Sequence, residues 1–559
     1  MITGPAFSLH QIPFSRQGSW FGISPVLGQH SMAEDLHLVS HQNGMHPVLR
    51  LAPLGPADWH ATPGMLSWLG EDGRIDAVFE TPDTMRLRGR GLNLRISAAA
   101  SRLTPFSGTY FYRDPVDGAL TFTSYETGRR YRITPLAGIA ETIGAEALGE
   151  AERGVLLCDD WEVALEEMDS SRLPYSTTAG FEKVAAGARA AFADFAEVIA
   201  PWRRADTPAA ELAAYVLWSA TVRPAGVVTR PAVLMSKHWM DKVWSWDHCF
   251  NALALALGAP QLARDQYLLP FDHQDESGAL PDSITHSEVL YNFVKPPIHG
   301  WALCLLRDSA GFGDAELASA YDGLARWTRF WLRRRAPGSV LPHYLHGNDS
   351  GWDNATVFDA GQVVVSPDLA AFLILQLDEL ASIALELRRP DDAELWRRTA
   401  AEMKAALLAE LWDGDRFVAR TAGGGEPRHT ASLLHLMPIV LGDDLPAEIV
   451  AALVRQITAH LTPYGLATER PDSPGYRPDG YWRGPIWAPA TILVEDGLRR
   501  AGHTDLADDV SARFRALCEA SGFAENFDAL TGAGLRDRAY TWTAAAYLLL
   551  ARAAVDRAP

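Results

Sequence analysis

The chain of 559 residues is 48% hydrophobic and 21% charged, with a mean hydropathy of −0.06 and a net charge of −19. This is the composition of a globular protein, and no apolar run is long enough to span a bilayer. A field of that sign repels phosphate backbones and anionic lipid surfaces. We therefore expect neither nucleic acid nor a membrane as a partner, and the length favours two unequal domains.

The cysteines are scattered without CxxC spacing, as Cys158, Cys249, Cys304 and Cys518. The N-terminus lacks the basic region followed by an apolar stretch that marks a secretory leader. We expect a reduced, cytoplasmic protein without a zinc site. The sequence carries no signal for the oligomeric state.

The first predicted domain, residues 1–175, consists of short apolar runs broken by turn residues. Alternation over 85–88 and 92–96, with a hairpin turn at 114–118, favours an antiparallel β-sandwich. Such a domain either binds sugar or braces its neighbour. We find no cluster of acids or histidines there, which favours the bracing role. If one of its loops reaches a functional pocket, residues 15–20 are the place to look.

The second predicted domain, residues 176–559, is dominated by Ala- and Leu-rich segments with helical spacing. Twelve helices are predicted, at 208–222, 247–257, 260–269, 297–310, 315–334, 366–388, 391–412, 429–440, 446–460, 486–502, 504–519 and 541–555. Twelve helices suggest six antiparallel pairs closing into a toroid. The alternative, a solenoid, is disfavoured because no sequence repeats at a fixed period.

An aromatic stretch, SKHWMDKVWSWDHCFN from Ser236, places Trp244 and Trp246 directly before Asp247. Indole faces stack on the apolar faces of a pyranose, and a carboxylate accepts from its hydroxyls. Alone, such a run is more often hydrophobic core ahead of a helix.

Two later segments supply carboxyl groups. LPHYLHGNDSGWDNATVFDAG places Asp353 beside Trp352, and SGFAENFDALTGAG contains Glu525. Glycoside hydrolysis needs one carboxyl group to protonate the leaving oxygen and one to act on water or carbon. Desolvation beside Trp352 is expected to raise the pKa of Asp353, which suits a general acid. The other acids of these loops are interpreted as turn or cap formers: Asp349, Asp359 and Asp528.

A third segment, GYWRGPIWAPATILVEDGL from Gly480, combines Tyr481, Trp482 and Trp487 with Gly484 at the start of a helix. The glycine lets a backbone or a ligand come close. A packed aromatic corner is the alternative interpretation.

These motifs together, WSWDHCFN, GNDSGWDNA, YWRGPIW and ENFDALTGAG followed by YTWTAA, resemble those of bacterial members of glycoside hydrolase family 63, and more distantly the trehalases of family 37. The resemblance implies an (α/α)6 barrel and an exo-acting, anomer-inverting glycosidase. It would release a terminal α-linked sugar, glucose first and mannose second.

The resemblance also implies roles for residues: Asp353 as general acid and Glu525 as general base. Such a mechanism needs no metal and no organic cofactor. A small carbohydrate is the expected partner, bound by Trp244, Trp246, Asp247, Trp352, Tyr481, Trp482, Gly484 and Trp487. Gln274, in DHQDESGALPDS, is a further candidate for substrate contact.

Some positions depart from the family pattern. Lys295 stands before a Pro pair where related enzymes acting on glycerate glycosides tend to have Gln, and Ala355 stands where Ser is frequent. Lys295 contacts an acidic aglycone or a sugar hydroxyl, or is an exposed lysine without a role. The Gly-rich run of trehalases is missing, which disfavours a trehalase.

Two rival functions stay open at this point. A glycoside phosphorylase on a similar barrel would use phosphate instead of water, and would leave Glu525 without a role. A non-catalytic carbohydrate-binding protein would keep the tryptophans without needing two acids.

Overall fold

The structure is a computed structural model that describes residues 4–28, 32–256 and 258–558. Residue 257, the last of the helix predicted at 247–257, lies outside the described residues. Within the described ranges, no helix is both long and apolar enough to cross a membrane.

The N-terminal region is formed by antiparallel strands, as predicted for the first domain, and these strands belong to one hydrogen-bonded sheet of twelve strands. Its strands are β1 Phe21–Leu27, β2 Met32–Ser40, β3 His46–Pro53, β4 Asp58–Thr62, β5 Met65–Leu69, β6 Arg74–Thr81, β7 Thr84–Arg90, β8 Leu94–Ala98, β9 Thr109–Arg113, β10 Leu120–Ser124, β11 Arg130–Ile143 and β12 Gly154–Met168. They are ordered β1-β2-β3-β8-β12-β7-β6-β5-β4, and β11, β10 and β9 continue from β12.

The long strand β12 organises this region. It pairs with β11 along one edge, and with both β7 and β8 along the other. Its inward residues, including Trp161 and Val163, are buried in one apolar core with Phe111 and Phe122. The predicted turn at 114–118 is confirmed, with the Asp114 amide donating to the Ala119 carbonyl at 2.8 Å.

The C-terminal region is helical, as predicted. Its α-helices are α1 Phe181–Ile199, α2 Ala210–Ala220, α3 Asp247–Ala256, α4 Pro260–Asp272, α5 His299–Ala310, α6 Asp314–Arg334, α7 Pro367–Glu386, α8 Pro390–Glu410, α9 Ala447–His460, α10 Ala488–Arg500, α11 Thr504–Ser521 and α12 Thr541–Arg557. There are 3₁₀ segments at Gly347–Ser350, Thr356–Phe358 and Leu433–Asp444. Two-residue strands occur at Thr221–Val222, Ala232–Val233, Val243–Trp244, Ser283–Ile284, Val289–Leu290, Val364–Val365, Arg420–Thr421, Leu461–Thr462, Gly465–Leu466, Asn526–Phe527 and Gly534–Leu535.

Each of the twelve predicted helical segments overlaps an observed one, but the segment predicted at 429–440 differs in kind and position. It is the 3₁₀ segment Leu433–Asp444, with Pro438 inside it and Gly442 at φ 60°. Proline lacks the amide that an α-helical hydrogen bond requires, and a left-handed glycine breaks the helical path. An α-helix is therefore not formed there.

Six helical elements contact one another in a closed circuit. α3 contacts α5, α5 contacts α7, α7 contacts the 3₁₀ segment Leu433–Asp444, that segment contacts α10, α10 contacts α12, and α12 returns to α3. Six further helices each contact at least one element of this circuit: α2, α4, α6, α8, α9 and α11. Helix α4 packs on α3, for example, and α8 packs on α7. The loops entering α3, α7, α10 and α12 contain the motifs found in the sequence.

β12 ends at Met168 and α1 begins at Phe181, so the predicted boundary at 175/176 lies between them. Helix α1 packs on the sheet: Phe181 and Val184 bury an apolar patch with Val78 of β6. The Arg88 guanidinium of β7 lies 4.0 Å from the centroid of the Phe181 ring. The two regions are thus in direct contact.

Candidate active site

Asp353 lies on a tight loop between a 3₁₀ turn and helix α7. Gly351 has φ 72°, and a Cβ there would lie 2.6 Å from the ring of Trp246. Only glycine tolerates both the left-handed backbone and that approach. The loop is therefore held against the aromatic stretch before α3, with Trp352 buried and Asp353 partly exposed.

Burial raises the pKa of Asp353. The cation of Lys295 opposes this shift, and the charge of Asp282 adds to it. A carboxyl group whose protonated form is favoured in this way suits proton donation.

Glu525 lies at the edge of the two-residue strand Asn526–Phe527, and its amide donates to the Asp537 carbonyl at 2.7 Å. It is 1% exposed, yet neither carboxylate oxygen has a hydrogen-bond partner among the described residues. Burial, followed by the charge of Asp537, raises its pKa to about 8, while Arg536 opposes the shift. A buried carboxyl without partners costs stability, which is typical of a functional group.

Asp247 is the first residue of α3. Its Oδ2 atom is buried and unpartnered within the part of the chain that the structure describes. Burial raises its pKa to about 8, against the cation of Lys295 and in the same direction as the charge of Asp353. Asp247, Asp353 and Lys295 therefore share one electrostatic environment.

Tryptophans from the predicted motifs form one aromatic cluster. Trp482 stacks on Trp487 with ring centroids 4.0 Å apart and contacts Trp352 at 4.7 Å. Trp246 lies 6.3 Å from Trp482 and 5.7 Å from Trp542. The structure thus brings the motifs together. The tryptophans pack on one another as an aromatic corner, and stacking of a sugar on their indole rings stays a prediction.

Tyr481 has a strained backbone conformation. Its φ is 64°, a left-handed conformation that is uncommon for a bulky side chain. The Arg536 guanidinium lies 5.0 Å from its ring centroid, and the Trp487 indole donates to its carbonyl at 2.8 Å. Burial raises its pKa well above the usual value, and the charges of Glu525 and Asp353 contribute. The phenol therefore lies in the field of both predicted catalytic acids.

Asn354 joins the loop of the predicted acid to the aromatic motif, a role the sequence reasoning missed. Its amide donates to the Gly480 carbonyl at 3.0 Å, and its side-chain oxygen accepts from the Trp482 amide at 3.0 Å. Its own carbonyl accepts from Arg483 at 2.7 Å. Its place next to Asp353 in the SGWDN motif was the available signal.

Gly484 and Trp244 are located at the edges of this arrangement. Gly484 has φ 149°, and a Cβ there would lie 2.4 Å from the Arg477 carbonyl oxygen, so the close approach is to backbone. Trp244 is partly buried in a short strand paired with Ser283. Their contact with a substrate stays a prediction.

Lys295 is buried, 6% exposed, so the interpretation as an exposed lysine is wrong. Its ammonium lies 3.0 Å from the Asp282 carboxylate and donates to the Asn348 carbonyl at 3.0 Å. Sequence reasoning missed Asp282, which lies in the same loop as Gln274. The ammonium has three donors, so one is left for another acceptor.

Gln274 is engaged within the protein. Its side-chain amide donates to the carbonyls of Gly278 and Gly323, at 2.8 and 3.1 Å, and its oxygen accepts from Arg326. Both amide donors are therefore in use, and its predicted substrate contact stays untested.

A family model described as the mannosylglycerate hydrolase MGH1-like glycoside hydrolase domain matches residues 240–543, which is more than half of the chain and contains every predicted site residue. The chain belongs to this glycoside hydrolase family. The resemblance to family 63 is thereby confirmed, and so is the prediction of a glycoside hydrolase. A phosphorylase or a non-catalytic binding protein is correspondingly disfavoured.

Among related proteins, the mannosylglycerate hydrolase of Rubrobacter radiotolerans is 27% identical over 58% of this chain and 92% of its own length. A crystal structure of the family 63 mannosylglycerate hydrolase of Thermus thermophilus with glucose is similar with a TM-score of 0.54 and 22% identity. It covers 62% of this glycoside hydrolase and 100% of that chain, so more than a third of the present chain has no counterpart there.

A bacterial glucoamylase complexed with acarbose shares the fold over the whole length. Its TM-score is 0.63 at 12% identity, and the match covers 99% of this glycoside hydrolase and 96% of that chain. This likeness concerns the fold alone. It supports the combination of an N-terminal sheet region with a helical region as one architecture.

Proposed function

We propose that the protein is an exo-acting hydrolase of an α-linked glycerate glycoside, with mannose or glucose as the terminal sugar. The observation that carries the proposal is the pair of carboxyl groups on two loops entering the helical circuit: Asp353 beside the tryptophans, and Glu525 buried without hydrogen-bond partners among the described residues. The glycerate aglycone is favoured over a simple glucoside because the family model and the Rubrobacter relative carry the name mannosylglycerate hydrolase.

The scaffold of this proposal is an (α/α)6 barrel. The closed circuit of α3, α5, α7, Leu433–Asp444, α10 and α12 supports it, because these six elements alternate along the chain with the six further helices that contact them. The loops entering the inner elements would then surround one end of the barrel. Such an end is where a pocket for a small ligand forms between helices.

In the proposed mechanism, the Asp353 carboxyl group protonates the glycosidic oxygen as the bond to the anomeric carbon breaks. A water molecule attacks that carbon from the opposite face and gives a proton to the Glu525 carboxylate. The products are the free sugar with inverted configuration and glycerate. The two carboxyl groups of such a pair are separated by roughly 6.5–9.5 Å, which leaves room for the water.

The pKa of Glu525, about 8, bears on its role as a base, because a base must be ionised to accept a proton. The shift arises chiefly from burial, which the Arg536 cation and a contact with the Tyr481 phenol offset only in part. An attacking water would donate a hydrogen bond to the carboxylate and so lower this pKa when substrate is bound. At neutral pH we therefore expect the fraction of free enzyme in which Glu525 is ionised to limit the activity.

Recognition of the sugar is assigned to Asp247, Lys295 and the tryptophan cluster. Asp247 offers an acceptor without a partner among the described residues, and Lys295 has a donor beyond its contacts with Asp282 and Asn348. The Asp247 carboxylate would accept from one sugar hydroxyl and the Lys295 ammonium would donate to a neighbouring one. The indole rings of the tryptophan cluster would pack on the apolar face of the sugar. Lys295 serves this sugar side of the pocket in our proposal, since its charge acts on both Asp247 and Asp353.

The test is proton NMR of the purified protein with α-mannosylglycerate, α-glucosylglycerate, trehalose, kojibiose and nigerose, without phosphate. We expect turnover of a glycerate glycoside, with the β-anomer of the sugar appearing first. First release of the α-anomer would contradict the inverting mechanism and remove Glu525 as the base. Turnover that required added phosphate would contradict hydrolysis.

A further inference from the structure

A segment of the helical region, residues 235–241, lies between the N-terminal sheet region and the predicted base; we call it the bridging segment. Its Lys237 is buried, and the ammonium donates to the Ser15 hydroxyl at 2.9 Å and to the Ser19 carbonyl at 2.7 Å. Burying a cation is costly unless such partners satisfy it. The contact therefore fixes the bridging segment to the stretch at 15–20.

Two more contacts join the same segment to the N-terminal region. The His41 Nδ1 atom lies 3.1 Å from the Asp241 carboxylate, and both side chains are buried. The His238 Nε2 atom lies 3.0 Å from the Gln11 carbonyl. The bridging segment is thus held at three points by residues about two hundred positions earlier in the chain.

The other side of the bridging segment faces the loop that leads into α12. The Ser236 hydroxyl donates to the Asp537 carboxylate, and both residues are fully buried. The Thr541 amide donates to the Met235 carbonyl at 2.8 Å. The start of α12 is therefore anchored on the bridging segment.

Asp537 in turn holds Glu525, since its carbonyl accepts the Glu525 amide at 2.7 Å. The ionisable groups that act on the Glu525 carboxyl, or are acted on by it, are Asp537, Arg536, Tyr481 and Tyr540. The Glu525 oxygens have no partner of their own among the described side chains. The bond to the Asp537 carbonyl therefore fixes the main chain from which the Glu525 side chain projects.

We propose that the N-terminal sheet region positions the catalytic base, through the bridging segment, the Ser236 hydroxyl and Asp537. This inference rests on the proposed role of Glu525. The positioning residues are Ser236, Lys237, Asp241 and Asp537. The sheet region thereby contributes to catalysis as well as to stability.

The first test is Ser236→Ala in the full chain, compared with Arg88→Gln. The control loosens a different contact between the two regions, at Phe181 and Glu182, away from the bridging segment. A misaligned catalytic group loses rate rather than affinity, so we expect kcat of Ser236→Ala to fall about tenfold with KM within about twofold. We expect the kcat of Arg88→Gln to stay at the parental value.

The second test is Asp537→Asn, which keeps the shape and removes the charge that raises the pKa of Glu525. The acid limb of kcat/KM should move to lower pH, a change that a merely structural role would not cause. If Ser236→Ala does not fold, Asp241→Asn replaces it with the same expectation. Parental kcat in Ser236→Ala, or an unmoved acid limb in Asp537→Asn, would overturn the inference.

Glu525→Gln separates this inference from the proposed function. An inactive Glu525→Gln with a fully active Ser236→Ala refutes only the positioning role. An active Glu525→Gln refutes the proposed function itself.

Discussion

The two predicted catalytic acids are held in different ways. Asp353 sits on a glycine-hinged loop, partly exposed and next to a buried tryptophan. Glu525 lies beside a short strand and is 1% exposed. Its backbone amide donates a hydrogen bond, whereas its carboxylate oxygens have no hydrogen-bond partner among the described residues. Burial and neighbouring charges raise the pKa of both groups, but only Glu525 is almost completely buried.

This difference corresponds to the two tasks of glycoside hydrolysis. A general acid delivers its proton to an oxygen that leaves with the aglycone, so access from outside is compatible with its role. A group that activates water must exclude other water and point in one direction. The comparison predicts unequal responses to substitution, to pH and to the loss of neighbouring charges.

The largest expected effect is on activity when either acid loses its ability to transfer a proton. Asp353→Asn and Glu525→Gln should each lower kcat by roughly 10²–10⁴-fold, the typical contribution of general acid or base catalysis. Steady-state kinetics on the glycerate glycoside identified by NMR would measure this. Asp528→Asn is the matched control, because Asp528 belongs to the same motif but its carboxylate accepts from the amides of its own turn. A loss below about fivefold in either variant would contradict the assigned pair.

The pH profile distinguishes the roles of the two acids. If Glu525 is the base, kcat/KM of the free enzyme should fall as pH drops below about 8, because protonation then removes the acceptor. The pKa of Asp247 is also about 8, so either group could cause this acid limb. The limb is assigned to Glu525 only if it moves in Asp537→Asn, because the charge of Asp537 acts on Glu525. A profile that instead falls above pH 8 would mean that Glu525 is the proton donor, and the two roles would be exchanged.

Loss of the Lys295 charge should have a smaller effect, concentrated on Asp353. Its cation lowers the pKa of both Asp353 and Asp247, so Lys295→Met should raise both and shift the basic limb of kcat to higher pH. We also expect an increase in KM of about tenfold from the lost donor. Lys404→Met, a change to a partly exposed lysine paired with Asp444, is the control. An unchanged pH profile would mean that Lys295 binds the substrate without affecting the pKa of Asp353.

The sequence predicted the parts of this site that have local signals. Helical periodicity located twelve segments, and the motifs named Asp353, Glu525 and the tryptophans that the structure brings together. Periodicity could not reveal that Leu433–Asp444 is 3₁₀, since apolar spacing alone does not report the effect of Pro438 and Gly442 on the backbone. Composition likewise indicated only a bracing role for the sheet region.

The missed features depend on contacts that no local sequence pattern marks. Asn354 binds residues about 130 positions later, and Asp282 faces Lys295 across a loop. Ser236 and Asp537 are separated by 301 positions, and no local pattern marks their hydrogen bond. Folding creates these pairs, so a single sequence contains the residues without indicating which of them meet.

The smallest predicted effect concerns the pH dependence of stability, to which the buried Glu525 should contribute. The pKa of Glu525 is raised from 4.5 to about 8, so the native state keeps a proton that the unfolded chain loses in this range. Its contribution to stability is therefore complete below pH 4.5 and is lost as pH rises towards 8. Glu525→Gln removes this loss, and should raise Tm at pH 8 by roughly 1–5 °C while changing it little at pH 5. Thermal unfolding at the two pH values measures the difference, with Glu150→Gln, a change to an exposed carboxyl, as control. A Tm difference that is equal at both pH values would mean that the buried carboxyl is ionised throughout, and the contrast between the two acids would then lie in their geometry alone.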